Sequence, residues 1–191
     1  MSEEVRRYHH GDLRRQLVLA ARAEVEAHGV ENVVLTRLAQ ACGVSVAAPY
    51  RHFPNKEALL AEVASGAFTE LGAKLIVAMD SDESPRGRLL DAGVAYIRYA
   101  LAHPNLFRLM FSSEVRAEVS EAGPAALGVL VSLVRACDLA VPPDAAVRAA
   151  WSIVHGQAYL CIGRLDHFAD ATDDRIRTDM AVLLDGMLAR R

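Results

Sequence analysis

The chain has 191 residues, of which 52% are apolar and 24% charged, with a formal net charge of −3. This excludes a wholly disordered chain and leaves length for one or two domains around a substantial core. No apolar run approaches the roughly 18 residues of a membrane span, and the opening MSEEVRRYHHGDLRRQ lacks a secretory signal, so no membrane contact and a cytoplasmic location are expected. Charge is unevenly spread: residues 1–56 carry eight Lys or Arg against six Asp or Glu, whereas residues 57–191 carry thirteen against eighteen. Only the N-terminal segment has the sign of a surface that meets phosphate. Cys42, Cys137 and Cys161 lie far apart and read as small core or surface residues, not as a disulfide framework or metal site.

Almost every segment reads as helix. Gly11 and Asp12 open a first one in which Leu13, Leu17, Ala21 and Val25 recur every fourth residue, and Gly29 ends it. Thr36 is placed to cap a short second helix containing Leu38 and Ala39, with Gly43 at the turn. Ser45 caps a third, carrying Val46 and Ala47, with Pro49 in its first turns; Asn55 caps a fourth that begins Lys56-Glu57-Ala58-Leu59-Leu60. Two short helices joined by a tight glycine turn form a helix-turn-helix, whose second helix can enter the major groove of DNA. After a polar break at residues 80–85, helical faces follow around Leu89–Leu101, Leu106–Phe111 and Leu127–Cys137. Two more close the sequence at about 144–163 and 172–189.

The stretch from Gly11 to Val63 closely resembles the TetR family of bacterial regulators. Thr36, Leu38, Ala39, Gly43, Val44, Tyr50, Phe53, Lys56, Leu59 and Leu60 all fall in register. The resemblance implies an all-α homodimer: an N-terminal helix-turn-helix three-helix module, and a C-terminal helical domain for ligand binding and dimerisation. The corresponding boundaries are residues 1–55 for the module, about 56–78 for a linking helix, and 79–191 for the larger domain. The later run WSIVHGQAYL, with Trp151, His155 and Gly156, resembles the C-terminal signature of one subgroup. By the same resemblance Thr36, Tyr50, His52 and Lys56 fall at backbone-contact positions. A hydroxyl, a phenol, an imidazole and an ammonium can all donate to phosphate.

Residues 45–50 contain no Arg, Asn or Gln for a bidentate base contact. Base discrimination is therefore expected to lean on Ser45, on methyl contacts from Val46 or Ala47, on Arg37 and on DNA shape, with Pro49 replacing the family's usual small or flexible residue. Val46 faces either a base or the core. Arg6, Arg7, His9 and His10 form either a basic arm or a frayed tail.

In the larger domain Leu106, Phe107, Met110 and Phe111, together with Trp151, His155 and Tyr159 spaced four apart, either wall an apolar cavity for a small effector or are ordinary core. Broad apolar coverage on the last two helices, with the resemblance, suggests a homodimer through them, set on a palindromic operator in double-stranded DNA. The function read from these features is a transcriptional regulator, most commonly a repressor released by its effector. The alternative is a helical protein-binding adaptor, or a regulator without a small-molecule effector. No metal-ligand, nucleotide-binding or catalytic motif is present, so neither a cofactor nor an enzymatic activity is expected.

Overall fold

The computed structural model describes residues 3–81, 83–115 and 121–186, with side chains from Leu13 onward. Helix α1 runs Glu3–His28, starting well before the expected Gly11–Asp12. No proline interrupts residues 3–10, and a glycine inside a helix costs only about 1 kcal/mol relative to alanine. The side chains of Arg6, Arg7, His9 and His10 lie outside those described. Leu17, Ala21 and Val25 are fully buried on one face. Gly29 ends the helix with a φ of 86°, its N–H bonding the Val25 carbonyl at 2.9 Å.

Helix α2, Leu35–Ala41, departs from expectation at its start: Val34 occupies the cap position and Thr36 lies within the first turn. The Val34 carbonyl accepts the Arg37 and Leu38 N–H groups at 3.0 and 3.1 Å, so backbone alone closes the turn. At the other end Gly43 has a φ of 69°. Its N–H bonds the Gln40 carbonyl at 3.0 Å and the Val44 N–H bonds that of Ala39 at 3.0 Å, the paired bonds of a glycine helix stop.

The expected third α-helix is replaced by a looser element. Residues 45–48 form turns, and Pro49–Arg51 a single 3-10 turn. The physical reason is Pro49. In a helix capped by Ser45, the residue at position 49 is the first whose N–H must bond the Ser45 carbonyl, and proline has none. The Ala48 N–H takes that carbonyl instead at 2.9 Å, and the Phe53 and His52 N–H groups both turn back to Pro49. The fold is nevertheless all-α, with a helix-turn-helix-like module at its N-terminal end. Helix α3, Lys56–Met79, follows. Asn55 Oδ1 caps it by accepting the Ala58 N–H at 2.8 Å, a contact worth about 1 kcal/mol.

Packing divides the chain into two compact units, Met1–Ala67 with Asn105–Glu121, and Phe68–Pro104 with Ala122–Arg191. The first has a core of Leu17, Val25, Leu38, Phe53, Leu59 and Leu60, joined by Leu106 and Leu109 of helix α5, Pro104–Met110. Asn105 Nδ2 fastens α5 to α1 by donating to the Glu26 carbonyl at 3.1 Å. Truncating one of these leucines to alanine should cost about 2–5 kcal/mol.

In the second unit, helix α4, Pro85–Ala102, packs against α6, Ala122–Arg135, α7, Pro143–Ile162, and α8, Asp173–Leu184. Ser84 caps α4 by accepting the Gly87 N–H at 3.1 Å, and Thr172 caps α8 through the Arg175 N–H at 3.3 Å. The buried side of α7 is mostly small, with Ala146, Ala150, Val154, Ala158 and Cys161, which lets its neighbours approach closely. Arg86–Asp185, Asp91–Arg177 and Arg98–Asp173 pair α4 with α8 in antiparallel order. Met187 and Leu188, read as part of the last helix, lie outside the described residues. Among those described, no helix is long and apolar enough to cross a membrane.

Candidate nucleic-acid interface

The segment from α2 to the start of α3 displays its side chains outward over an apolar floor. Thr36, Arg37, Ser45, Ala47 and Arg51 are exposed, as are Val46 at 51% and Tyr50 at 52%. Val46 thus faces solvent, and its isopropyl group offers the methyl surface that a thymine would meet. His52 and Lys56 are half-buried. Pro49 is buried and shapes the turn from beneath. Arg37 folds back onto the Asn32 carbonyl, with its guanidinium 3.8 Å from Glu24 Oε1, so reaching a base requires it to leave both.

Arg51, which the sequence reading passed over, adds an exposed cation beside Tyr50. Its signal in the sequence is a cation directly after Tyr50, one residue past the segment 45–50. Arg14 was also missed. Its guanidinium lies 4.6 Å from the centre of the Phe53 ring, pairs with Glu62, and donates to the His52 carbonyl at 3.5 Å. These contacts tie α1 and α3 to the exposed turn and hold it in place. Cys42 sits half-buried at the end of α2, and burial raises its thiol pKa, which leaves little thiolate for redox chemistry.

Of the residues expected to form an effector wall, four belong to the first unit and three to the second. Leu106 is wholly buried in the core of the first unit. Phe107 and Met110 are buried, and Phe111, half-buried, stacks near Phe107 with ring centres 5.1 Å apart. Trp151, His155 and Tyr159 line one stripe of α7 in the second unit. The His155 ring centre lies 6.4 Å from that of Trp151 and 5.0 Å from that of Tyr159.

Buried Tyr96 of α4 completes this cluster, its hydroxyl 2.9 Å from His155 Nδ1. Burial lowers the His155 pKa and raises that of the Tyr96 phenol. Both shifts favour neutral groups, so the contact joins a neutral phenol and a neutral imidazole. Tyr96 had been hidden as one more helix-face aromatic; only the packing of α4 on α7 brings it to His155. Among the described residues, no group of three or more His, Cys, Asp or Glu is placed to hold a metal ion.

Comparison with known proteins agrees with this architecture. Residues 17–63 match the profile of bacterial regulatory proteins of the tetR family, and residues 89–183 match that of the tetracyclin repressor-like C-terminal domain. No curated protein matches the chain. Among solved structures, a protein of unknown function from Rhodococcus sp. RHA1 is 32% identical, with a TM-score of 0.80 over 95% of this chain and 98% of that one. The TetR family regulator PfmR from Thermus thermophilus is 25% identical, with a TM-score of 0.64 over 90% of this chain and 97% of that one. A TetR variant from Acinetobacter baumannii AYE, solved in complex with minocycline, shares the fold at 20% identity, with a TM-score of 0.65 over 89% of this chain and 93% of that one. With both profiles matched in order, and a relative above 30% identity aligned over nearly the whole of both chains, this protein belongs to the tetR family of bacterial regulatory proteins.

Proposed function

We propose that the protein is a sequence-specific transcriptional repressor that binds a palindromic operator as a homodimer and leaves it when a small effector binds. The observation that carries the reading is the outward display of Thr36, Ser45, Val46, Ala47, Tyr50 and Arg51 on a module of the tetR family. Hydroxyls and cations from this surface hold phosphates, with His52 and Lys56 at its edge, while Val46 and Ala47 read methyl groups. With few base-reading polar groups, sequence preference leans on the shape of the operator. Pairing through α7 and α8 would set two such surfaces about 34–36 Å apart, one turn of DNA. The protein then works in the cytoplasm, where that DNA is.

The effector is read to enter against Trp151, His155 and Tyr159, where the Tyr96 hydroxyl holds the imidazole in place. Leu106, Phe107, Met110 and Phe111 keep their reading as an effector wall on the strength of their bulk and position in the sequence. Release follows if the effector binds better to a form whose two DNA-reading surfaces have the wrong spacing, since only differential affinity shifts such an equilibrium. Helix α3 runs from the first unit into the second and is the covalent path for that change.

The test is operator selection: purified protein with a genomic or random DNA library at stated salt, and sequencing of the bound fragments. An enriched palindrome supports the reading and supplies the reporter for an effector screen. A folded dimer that enriches nothing even at low salt overturns it and favours the adaptor.

A further inference from the structure

Arg37 stands in an unfavourable place for a cation. It lies in the first turn of α2, where the free N–H groups already carry partial positive charge and no acidic residue offsets them. Local helix stability therefore does not account for an arginine here. Its side chain, 59% exposed, is drawn back onto a cradle built from α1 and the turn that follows it. Nη2 donates to the Asn32 carbonyl and lies 3.8 Å from Glu24 Oε1. Asn32 is itself fastened, its Nδ2 donating to the His28 carbonyl at 2.7 Å. Glu24 Oε1 also lies 3.5 Å from His28 Nδ1, so one carboxylate oxygen serves both side chains.

Which nitrogen is held decides what the contact does. A guanidinium has two forked donor pairs, Nη1 with Nη2 and Nε with Nη2, and Nη2 belongs to both. Such a fork is what meets guanine O6 and N7 together. Nη1 and Nε of Arg37 bond to nothing among the described residues, whereas Nη2 is the atom engaged. To use either fork, DNA competes with Asn32 and Glu24 for the same nitrogen. Residues 45–50 supply no Arg, Asn or Gln, so holding Arg37 back withholds one of the few forked donors on this surface.

We propose that Glu24 is a latch on Arg37. It keeps the guanidinium against α1 in the free protein, and so sets how strongly one base pair of each half-site is read. The inference rests on the DNA-binding reading above and adds to it a positioning residue that acts through Arg37. The test is a double-mutant cycle on the full chain: wild type, Glu24→Gln, Arg37→Ala and the double variant. Each is titrated against the operator that the wild type enriches and against random DNA, and operator selection is repeated with Glu24→Gln. Glu31→Gln controls for charge, because Glu31 is exposed beside Asn32 and pairs with no cation among the described residues.

The expected result is operator binding tightened about threefold per module by Glu24→Gln, the scale of one exposed ion pair, with helical content kept. That gain vanishes when residue 37 is alanine, exceeds that of Glu31→Gln, and comes with a sharper preference at one base pair of each half-site. A gain that survives in Arg37→Ala, or that Glu31→Gln equals, is a general effect of charge and overturns the latch while DNA binding stands. Unchanged or weaker binding by Glu24→Gln overturns it too. An Arg37-dependent gain equal on operator and random DNA overturns the base reading. If neither the wild type nor Glu24→Gln binds DNA, the latch and the DNA-binding reading both fall.

Discussion

The seam between α4 and α8 and the outer stripe of α7 belong to the same unit and are built on opposite plans. At the seam three charge pairs close within the chain: Arg86 with Asp185, Asp91 with Arg177, Arg98 with Asp173. Beneath them Gly93 admits the buried Met180 side chain, whose thioether would overlap a Cβ at that position. The α7 stripe has no charges to pair, and its Gly156 has open space above it. Two glycines in neighbouring helices thus have different physical causes. One is explained by a contact already made; a Cβ at the other would meet nothing among the described residues.

The largest effect should come from filling the seam. Gly93→Leu has no room beside Met180 and is expected to lower folding stability by about 1–3 kcal/mol, read as a fall in the urea midpoint. Gly93→Ala should do much less, because the end of a methionine side chain can swing aside. Gly156→Leu, with nothing within 4 Å of its Cβ, should leave that midpoint nearly unchanged. A similar loss at both glycines would erase the contrast.

Next come the ion pairs. Asp91 and Arg177 are the least exposed of the three, with side chains 33% and 36% accessible. Asp91→Ala is expected to cost up to about 1 kcal/mol, and Arg98→Ala a few tenths, both shrinking in high salt. Denaturation at two ionic strengths separates them. An Arg98→Ala loss larger than that of Asp91→Ala, or one indifferent to salt, would mean that register is set elsewhere.

The exposed turn of the first unit offers a third kind of surface, outward-facing like α7 but rich in donors. Lys56→Ala should weaken DNA binding evenly across sequences and reduce the salt slope by about 1. Val46→Ala should instead act at particular base pairs, lowering affinity for the selected operator more than for random DNA. Binding titrations at several salt concentrations distinguish the two patterns. Matching behaviour for both would remove the division between phosphate and base contacts.

The smallest effect concerns His155. Burial holds its pKa below the ordinary imidazole value of 6.5, so the unfolded chain takes up the proton first as pH falls. The stability contributed by the neutral ring is therefore complete above about pH 6.5 and declines below it, until the folded-state pKa is passed. His155→Gln should flatten this part of the curve below about pH 6.5. An unchanged slope would assign the acid sensitivity to another group.

Much of the architecture was legible in the sequence for local reasons. Four-residue spacing in Leu17, Ala21 and Val25 made the buried face of α1, and Gly29 and Gly43 stopped their helices by adopting positive φ. Asn55 capped α3 as its position predicted. These depend on a few neighbouring residues and the backbone, so a linear reading captures them. Thr36 shows the limit even there: its hydroxyl suited the cap, but the Val34 carbonyl closed the turn first. Pro49 was visible too, yet its consequence turned on one missing donor at one register position, and a shift of cap by a residue would have removed it.

Tertiary structure alone decided which distant faces met. Leu106 has the same apolar pattern whether it lines a cavity or closes a core, and α5 carried it into the core with Leu17 and Leu60. Tyr96 and His155 lie far apart in the chain and became hydrogen-bond partners because α4 packs on α7. The sequence determined where helices start, stop and turn apolar, since those are short-range properties of backbone and side chain. Which apolar face covers which, and which glycine is left uncovered, follows from packing whole helices together, and no local pattern contains that.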